Sequence, residues 1–109
     1  MTRPGISPSP VIQLLHLVDY QDGSIVSRQI LKSPGGNVTL FAFDAGEQLS
    51  EHTTPFDALV QVVDGQAEIR IAGESSVLRA GELILMPASV PHAVFARSRF
   101  KMILTMLGT

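Results

Sequence analysis

Turn-forming residues divide this chain into short apolar segments. Five pairs of adjacent residues that contain glycine separate apolar runs of five to eight residues: Asp22-Gly23, Gly35-Gly36, Asp64-Gly65, Ala72-Gly73 and Ala80-Gly81. Strands of that length joined by tight turns are typical of an all-β sandwich or barrel. Only the segment PVIQLLHLVDY, residues 10–20, has a pattern compatible with a short helix, and it lacks a good cap.

Two segments alternate with the period of a half-buried strand. Around Gly65, the sequence VVDGQAEIRI places Ala67, Ile69 and Ile71 on one face and charged residues on the other, which predicts a hairpin. The segment FKMILTML, residues 100–107, alternates in the same way and points its even-numbered residues to one side. Both segments are therefore predicted to be strands with one face in a core.

Three other segments are apolar on both faces: VTLFAF (38–43), ALVQVV (58–63) and LILMP (83–87). A strand of this kind needs cover on both sides. In so small a chain, one cover is a second sheet of the same domain. The other is predicted to be a second copy of the chain, so we expect a homodimer.

Composition narrows the class of protein. A net charge of −2, with 17% charged residues of scattered sign, argues against binding to nucleic acid or to an anionic membrane surface. The absence of cysteine excludes thiol catalysis, disulfides and thiolate metal sites. No apolar run approaches the roughly 18 residues of a membrane-spanning helix. We expect a soluble cytoplasmic protein with a flexible lead-in over residues 1–10 and one domain over residues 11–109.

Two motifs each place a histidine at a set distance after a glycine. Gly46-x5-His52-x-Thr54, followed by Gly65, resembles the first cupin motif, G(X)5HXH(X)3-4E(X)6G. The segment from Gly81 to His92 (G-x5-P-x-S-x2-H) resembles the second, G(X)5PXG(X)2H(X)3N. Together they cover roughly residues 38–107 and are similar to the small single-domain, RmlC-like conserved-barrel cupins. The resemblance implies an all-β jelly-roll barrel, the double-stranded β-helix of short antiparallel strands.

The resemblance also implies a metal site, which in cupins uses three histidines and a carboxylate. His52 and His92 occupy two of these positions, while Thr54 replaces the remaining histidine and Ala58 replaces the carboxylate. Asp57 is adjacent, but one residue along a strand means the opposite face. Tight retention of a divalent ion needs about three protein ligands. We therefore expect no firmly held cofactor, and at most a loosely held Zn, Ni, Fe or Mn ion on His52 and His92.

The same positions predict a binding pocket in the mouth of the barrel. His52, Thr54 and His92 would supply its polar groups, and Val60 and Val62, which share the parity of His52, would line its interior. Histidines placed in this way can act as acid or base near neutral pH. No serine lies beside a histidine–carboxylate pair in a recognisable frame, which excludes a nucleophilic triad.

Three functions remain open at this point. The first is a metal-free domain that binds a small molecule in the barrel. The second, allowed by the cupin resemblance, is a metal-dependent oxygenase or isomerase that uses His52 and His92. The third is a regulatory or partner subunit with a vestigial pocket. The replaced ligands at Thr54 and Ala58 favour the first or third over the second.

Overall fold

The computed structural model describes residues 6, 8 and 10–108. Most of the predicted lead-in, residues 1–10, and the last residue of the predicted domain lie outside the described residues. The described part contains one short 3-10 helix, Leu14–His16, within the segment whose pattern allowed a helix. Its nine strands are β1 (Ile25–Ser33), β2 (Gly36–Phe43), β3 (Gln48–His52), β4 (Asp57–Asp64), β5 (Gln66–Ile71), β6 (Glu74–Arg79), β7 (Leu83–Met86), β8 (His92–Phe95) and β9 (Phe100–Leu107).

The strands form two antiparallel sheets that pack face to face. The five-stranded sheet has the order β1-β2-β9-β4-β7, and the four-stranded sheet has the order β3-β8-β5-β6. Strand β5 packs against β9 and β6 packs against β4. Because β8 is the neighbour of β5 in one sheet and β2 is the neighbour of β9 in the other, β8 lies opposite β2. This architecture confirms the predicted all-β jelly-roll barrel. No helix in the described part is long and apolar enough to cross a membrane.

The core lies between the two sheets and is built from the inward side of each strand. The rings of Phe43 and Phe100 stack at its centre, with 4.5 Å between their centroids. Met102 is buried beside them, and Leu104 and Met106 continue the same face of β9. The alternation predicted for residues 100–107 is therefore confirmed. Twelve described residues are buried in this cluster, which is enough for a core without disulfides or metal.

The turn at Gly65 differs from the prediction. Strands β4 and β5 lie in different sheets, so Gly65 forms a corner of the barrel and the predicted hairpin is wrong. The chain passes against the backbone of β9 here: a Cβ at residue 65 would lie 2.3 Å from the carbonyl oxygen of Arg99. Its φ of +71° also favours glycine. The alternation after the corner is as predicted, with Ala67 and Ile69 buried.

The chain itself covers part of the outer face of the five-stranded sheet. Leu14, Leu17 and Tyr20 pack there against Leu40 and other outward apolar residues. Lys101 lies on the same face and, although charged, is only 7% exposed. Its ammonium donates to the carbonyl oxygens of residues 15 and 18 at 2.7 and 2.8 Å. A buried lysine thus fastens residues 14–20 to the sheet.

Candidate functional site

The two motif histidines meet at one end of the barrel. His52 is the last residue of β3 and His92 the first of β8, and the two are direct partners in the ladder between these strands. Their rings lie edge to face, with 4.4 Å between centroids and 69° between planes. The pairing across the ladder brings together two residues that are forty positions apart in the sequence.

A register shift in β3 sets the position of His52. Leu49 points into the core and pairs with Val94, and strict alternation from there would turn Glu51 inward. An irregularity between Leu49 and His52 inserts an extra residue, so that His52 pairs with inward-facing His92. The exposed Glu51 side chain is thereby kept away from the imidazole pair.

The backbone determines which nitrogen of each imidazole is protonated. His52 Nδ1 lies 2.7 Å from the carbonyl oxygen of Ser50, and His92 Nδ1 lies 3.1 Å from that of Val90. A carbonyl oxygen only accepts, so each Nδ1 carries the proton and donates. In a neutral imidazole of this tautomer, the lone pair lies on Nε2. Two acceptor nitrogens held by adjacent rings are the chemical core of this site.

Burial distinguishes the two rings. His92 is 4% exposed, whereas His52 is exposed at the barrel end. Burial lowers the pKa of His92 below its ordinary 6.5, the hydrogen bond to Val90 opposes this shift, and the nearby His52 adds to the lowering. His92 therefore stays neutral through the physiological range and keeps its Nε2 as an acceptor.

The hydroxyl of Thr54 is engaged in a local turn. Its Oγ1 donates to the carbonyl oxygen of Phe56 at 3.1 Å and accepts from the amide of the same residue at 3.2 Å. The carbonyl of Thr54 accepts from the amide of Ser89 at 2.8 Å, which ties the loop before β4 to the loop before β8. The contacts of Thr54 thus join the loop that follows His52 to the loop that precedes His92.

The remaining motif positions lie on β4. Ala58, Val60 and Val62 all face inward and are buried in the core. Asp57 is exposed on the opposite side, where its Oδ1 accepts from the amide of Ala88 at 2.9 Å. The carboxylate position of the cupin motif therefore carries a methyl group, and the neighbouring carboxylate is engaged elsewhere.

These donors do not fit a tightly held metal ion. Residues 6, 8 and 10–108 contain no group of three or more histidine, cysteine, aspartate or glutamate side chains placed to hold one. Two imidazole nitrogens would need a third protein donor. Thr54 is engaged with the backbone of Phe56, and Ala58 has no donor. A divalent ion on His52 and His92 would have to complete its coordination with water.

Two polar residues on β2 were missed in the sequence analysis. Asn37 and Thr39 lie on the same face of β2 as Phe41 and Phe43, whose side chains face the core. Because β2 lies opposite β8, both residues belong to the inner wall at the histidine end. Thr39 Oγ1 donates to Asn37 Oδ1 at 3.4 Å, and both side chains are half-buried. The sequence GNVTLFAF could have revealed both residues, because a period of two places Asn37 and Thr39 on the same side of the strand as the two phenylalanines.

A hollow of about 400 Å³ lies elsewhere, on the outer face of the four-stranded sheet. It forms above the small side chain of Ala93, between Phe95 and the charged residues Glu68 and Arg70. Neither histidine lines it. This hollow is lined by charged and polar side chains together with apolar ones, in contrast to the concave apolar site predicted for the barrel mouth.

Comparison with known proteins places these features in a family. The sequence profile of the Cupin domain matches residues 39–107. A conserved protein of unknown function from Streptococcus pyogenes is 31% identical, with a TM-score of 0.93 over 100% of this chain and 96% of its own. A Cupin 2 conserved barrel domain protein from Leptotrichia buccalis is 37% identical, with a TM-score of 0.85 over 88% of this chain. The match spans about half, 47%, of that longer chain.

A cupin superfamily protein from Desulfitobacterium hafniense extends the likeness over both full chains, with a TM-score of 0.91. At 24% identity, this likeness concerns the fold alone. None of the curated protein sequences compared with the chain matches it. The function therefore has to be argued from the site.

Proposed function

Because the chain belongs to the cupin family, whose fold hosts many chemistries, we propose from its own site that it binds a small molecule between the two sheets, at the histidine end. The observation that carries the proposal is the imidazole pair. His52 and His92 lie 4.4 Å apart, and both use Nδ1 to donate to the backbone. Both lone pairs are then on Nε2, ready to accept from a ligand.

The ligand class follows from the hydrogen bonds that the two imidazoles already make to the backbone. A neutral imidazole whose N–H is already engaged offers a ligand an acceptor and no further donor. The lowered pKa of His92 keeps that ring neutral at physiological pH. The site therefore suits a neutral molecule with a hydroxyl group, such as an alcohol, phenol or enol, better than it suits an anion.

The opposite wall supports the same ligand class. Asn37 and Thr39 lie on the inward face of β2, across from the strand that carries His92. The neighbouring inward positions on β9 are Leu104 and Met106, which are apolar and partly buried. A few polar groups on a mostly apolar wall are characteristic of small-molecule sites. A ligand with one or two hydroxyl groups on a hydrocarbon frame matches this distribution.

Metal-dependent catalysis is not favoured by the donor set, because Thr54 and Ala58 supply no ligand. In the proposal, a divalent Zn, Ni, Fe or Mn ion is held on His52 and His92 only when supplied in excess. The ligand is instead bound directly by the two acceptor nitrogens. The role of the protein is accordingly proposed to be binding or sensing of a small hydroxylated compound.

The test uses phenol as a neutral hydroxyl donor and benzoate as an anion of similar size. Side-chain nitrogen NMR spectra of the full chain should show shifts of the His52 and His92 Nε2 resonances with phenol, and weaker shifts with benzoate. We expect His52→Ala and Thr39→Val each to weaken phenol binding about tenfold, or 1.4 kcal/mol. His16→Ala is the matched control, because His16 is exposed and lies outside both motifs.

Three outcomes would contradict the proposal. The first is the absence of any shift at millimolar phenol, and the second is benzoate binding more tightly than phenol. The third is phenol binding that His52→Ala leaves unchanged. Thermal melting of each variant separates a lost binding site from a lost fold, since His52 is exposed and its removal should leave the melting temperature nearly unchanged.

A further inference from the structure

The hollow on the outer face of the four-stranded sheet lies above a small side chain. Ala93 on β8 lines it, and the partner of Ala93 in the ladder to β5 is Arg70. The next row on the same face runs from Gln48 through Phe95 to Glu68. The small Ala93 among longer neighbours leaves a concavity of about 400 Å³, which lies within the range of about 300–1,000 Å³ that is usual for small-molecule sites.

One of the charged side chains that line the hollow is already paired. Oε1 of Glu68 lies 2.5 Å from Nη2 of Arg97, and the Glu68 side chain is only 14% exposed. The ladder partners of Glu68 on either side are the apolar residues Phe95 and Val77. A ligand would have to break this shielded ion pair in order to use either of its charges, so recognition falls to the other charged residues of the hollow.

Two further charges border the hollow from opposite sides. Arg70 lies on β5 and Glu51 on β3, with β8 between them, and both residues are exposed. Within residues 6, 8 and 10–108, neither of them makes an ion pair. At a strand spacing of about 4.8 Å, the backbones of β3 and β5 are about 10 Å apart. One cation and one anion therefore face the same space without pairing with each other.

The irregularity in β3 brings Glu51 to this side of the sheet. Strict alternation from inward-facing Leu49 would place Ser50 outside the barrel and Glu51 inside it. The extra residue instead leaves Ser50 and Glu51 both at the hollow, while His52 pairs with His92. Bulges of this kind re-aim side chains beside functional sites. The same irregularity thus shapes both faces of this sheet.

We propose that this hollow is a second binding site, which takes a free α-amino acid with an apolar or aromatic side chain. The carboxylate of the ligand accepts from the guanidinium of Arg70, whose fork of donors matches a carboxylate. The ammonium of the ligand pairs with the carboxylate of Glu51. Its side chain lies over Ala93 and against the half-buried ring of Phe95. Neither histidine of the imidazole pair lines the hollow, so the proposal is independent of what that pair binds.

The arrangement of charges favours a zwitterion over an ion of one sign. A simple anion at Arg70 would also meet the carboxylates of Glu51 and Glu68, and a simple cation at Glu51 would meet Arg70. An α-amino acid carries its ammonium and carboxylate on one carbon atom and so satisfies both side chains at once. Both side chains are long and exposed, which allows them to converge on a ligand held between them. Hydrogen bonds between charged groups are stronger than those between neutral ones, and they fix the orientation of the ligand.

Binding of phenylalanine to the full chain tests the proposal. In amide NMR spectra, millimolar phenylalanine should shift the resonances of Ala93 and Phe95. N-acetylphenylalanine lacks the ammonium and phenylalaninamide lacks the carboxylate, and we expect each to bind about tenfold more weakly. Arg70→Gln and Glu51→Gln should each weaken phenylalanine binding about tenfold as well. Arg79→Gln is the matched control, because Arg79 is exposed on β6 of the same sheet and does not line this hollow.

A further variant blocks the hollow without removing a charge. Ala93→Leu fills the space from its floor and leaves Arg70 and Glu51 in place, so it should abolish the binding of millimolar phenylalanine. Thermal melting of each variant checks that the fold is kept. The proposal is overturned if phenylalanine causes no shift, if its binding survives Ala93→Leu in a folded protein, or if Arg70→Gln has no more effect than Arg79→Gln. Equally tight binding of phenylalaninamide or N-acetylphenylalanine would assign the hollow to one end of a peptide, and would also overturn it.

Discussion

The imidazole of His92 stands edge to face against that of His52, with 4.4 Å between the ring centroids. The ring of His92 is buried, and that of His52 is exposed at the barrel end. Cupin metal motifs place a carboxylate near such a pair, but here that position is Ala58. The site is therefore an imidazole pair without a carboxylate at that position, and the properties of the pair can be measured one at a time.

Removing divalent ions should leave the stability of the protein unchanged. A ligand that binds the folded state stabilises it in proportion to the logarithm of its concentration, so a tightly held metal would tie the melting temperature to chelation. We expect tag-free protein to melt at the same temperature with and without a chelator. The metal content of the same sample is measured in parallel. Near-stoichiometric metal together with a clear drop in melting temperature on chelation would show that the site does hold a metal ion tightly.

Stability should fall as the pH is lowered through the titration of His92. The folded state holds the pKa of His92 below 6.5, so the unfolded chain takes up its proton first as the pH falls. The contribution is fully present above about pH 6.5 and is lost progressively below it. Urea unfolding at several pH values measures the free energy of unfolding, which should depend less steeply on pH in His92→Gln than in the wild type. An equal slope in both would refute this, and His16→Gln provides the control.

Protonation of Asp44 should lower the stability of the protein in a second, more acidic pH range. Its hydrogen bond from the Arg99 side chain and those from the amides of Gly23 and Ala45 hold its pKa at about 2, below the ordinary 3.8. Because this pKa is lowered, the stabilisation is present above pH 3.8 and is lost as the pH falls toward 2. In the Asp44→Asn variant, the free energy of unfolding should therefore no longer fall with pH in the range below pH 4. The fall attributed to His92 at higher pH should be unchanged.

Gly65→Ala should be strongly destabilising. The new Cβ would lie 2.3 Å from the carbonyl oxygen of Arg99, and the residue would be forced into a left-handed conformation. We expect a loss of about 3 kcal/mol in the free energy of unfolding, from the clash and the backbone strain together. Gly73→Ala is the control, since Gly73 has φ of +84° but open space around it, and should cost only about 1 kcal/mol. Equal losses would show that the approach of β9 is not what requires glycine at position 65.

Ser89→Gly should stabilise the protein. Ser89 has φ of +64° at the position where the second cupin motif has glycine, so its backbone is strained. Relief of this strain exceeds the added freedom of the unfolded chain, and we expect a net gain of up to about 1 kcal/mol. Ser76→Gly, in the exposed strand β6, should instead cost about 0.5–1 kcal/mol. Chemical unfolding of both variants measures the difference, and a loss at residue 89 would refute the prediction.

Lys101→Met should loosen the segment that covers the sheet. The substitution keeps the length and apolar stem of the side chain but leaves the carbonyl oxygens of Leu15 and Val18 without their buried donor. We expect a loss of about 2 kcal/mol and faster amide hydrogen exchange in residues 14–20. Lys32→Met is the control, because Lys32 is exposed on β1. If exchange in that segment is unchanged, the lysine does not hold it in place.

Local sequence determined which residues form strands and which side of each strand is buried. The alternation in residues 66–71 and 100–107 places Ala67, Ile69 and Met102 in the core because side chains of a strand point alternately to its two faces. The spacing of the two motifs indicated the family, and that resemblance implied that His52 and His92 share one site. The same rule of alternation, applied to GNVTLFAF, would also have found Asn37 and Thr39.

Tertiary structure decided how these strands were arranged and which charges were buried. Whether Gly65 made a hairpin or a corner depended on which strands paired across the barrel, and pairing between distant strands leaves no local periodicity in the sequence. Lys101 is buried because residues 14–20 fold over it, a contact across more than eighty positions. His52 pairs with His92 only through the irregularity in β3, since strict alternation from Leu49 would have put Glu51 in that place. Each of these outcomes depends on contacts between distant segments, and no short window of sequence contains both partners.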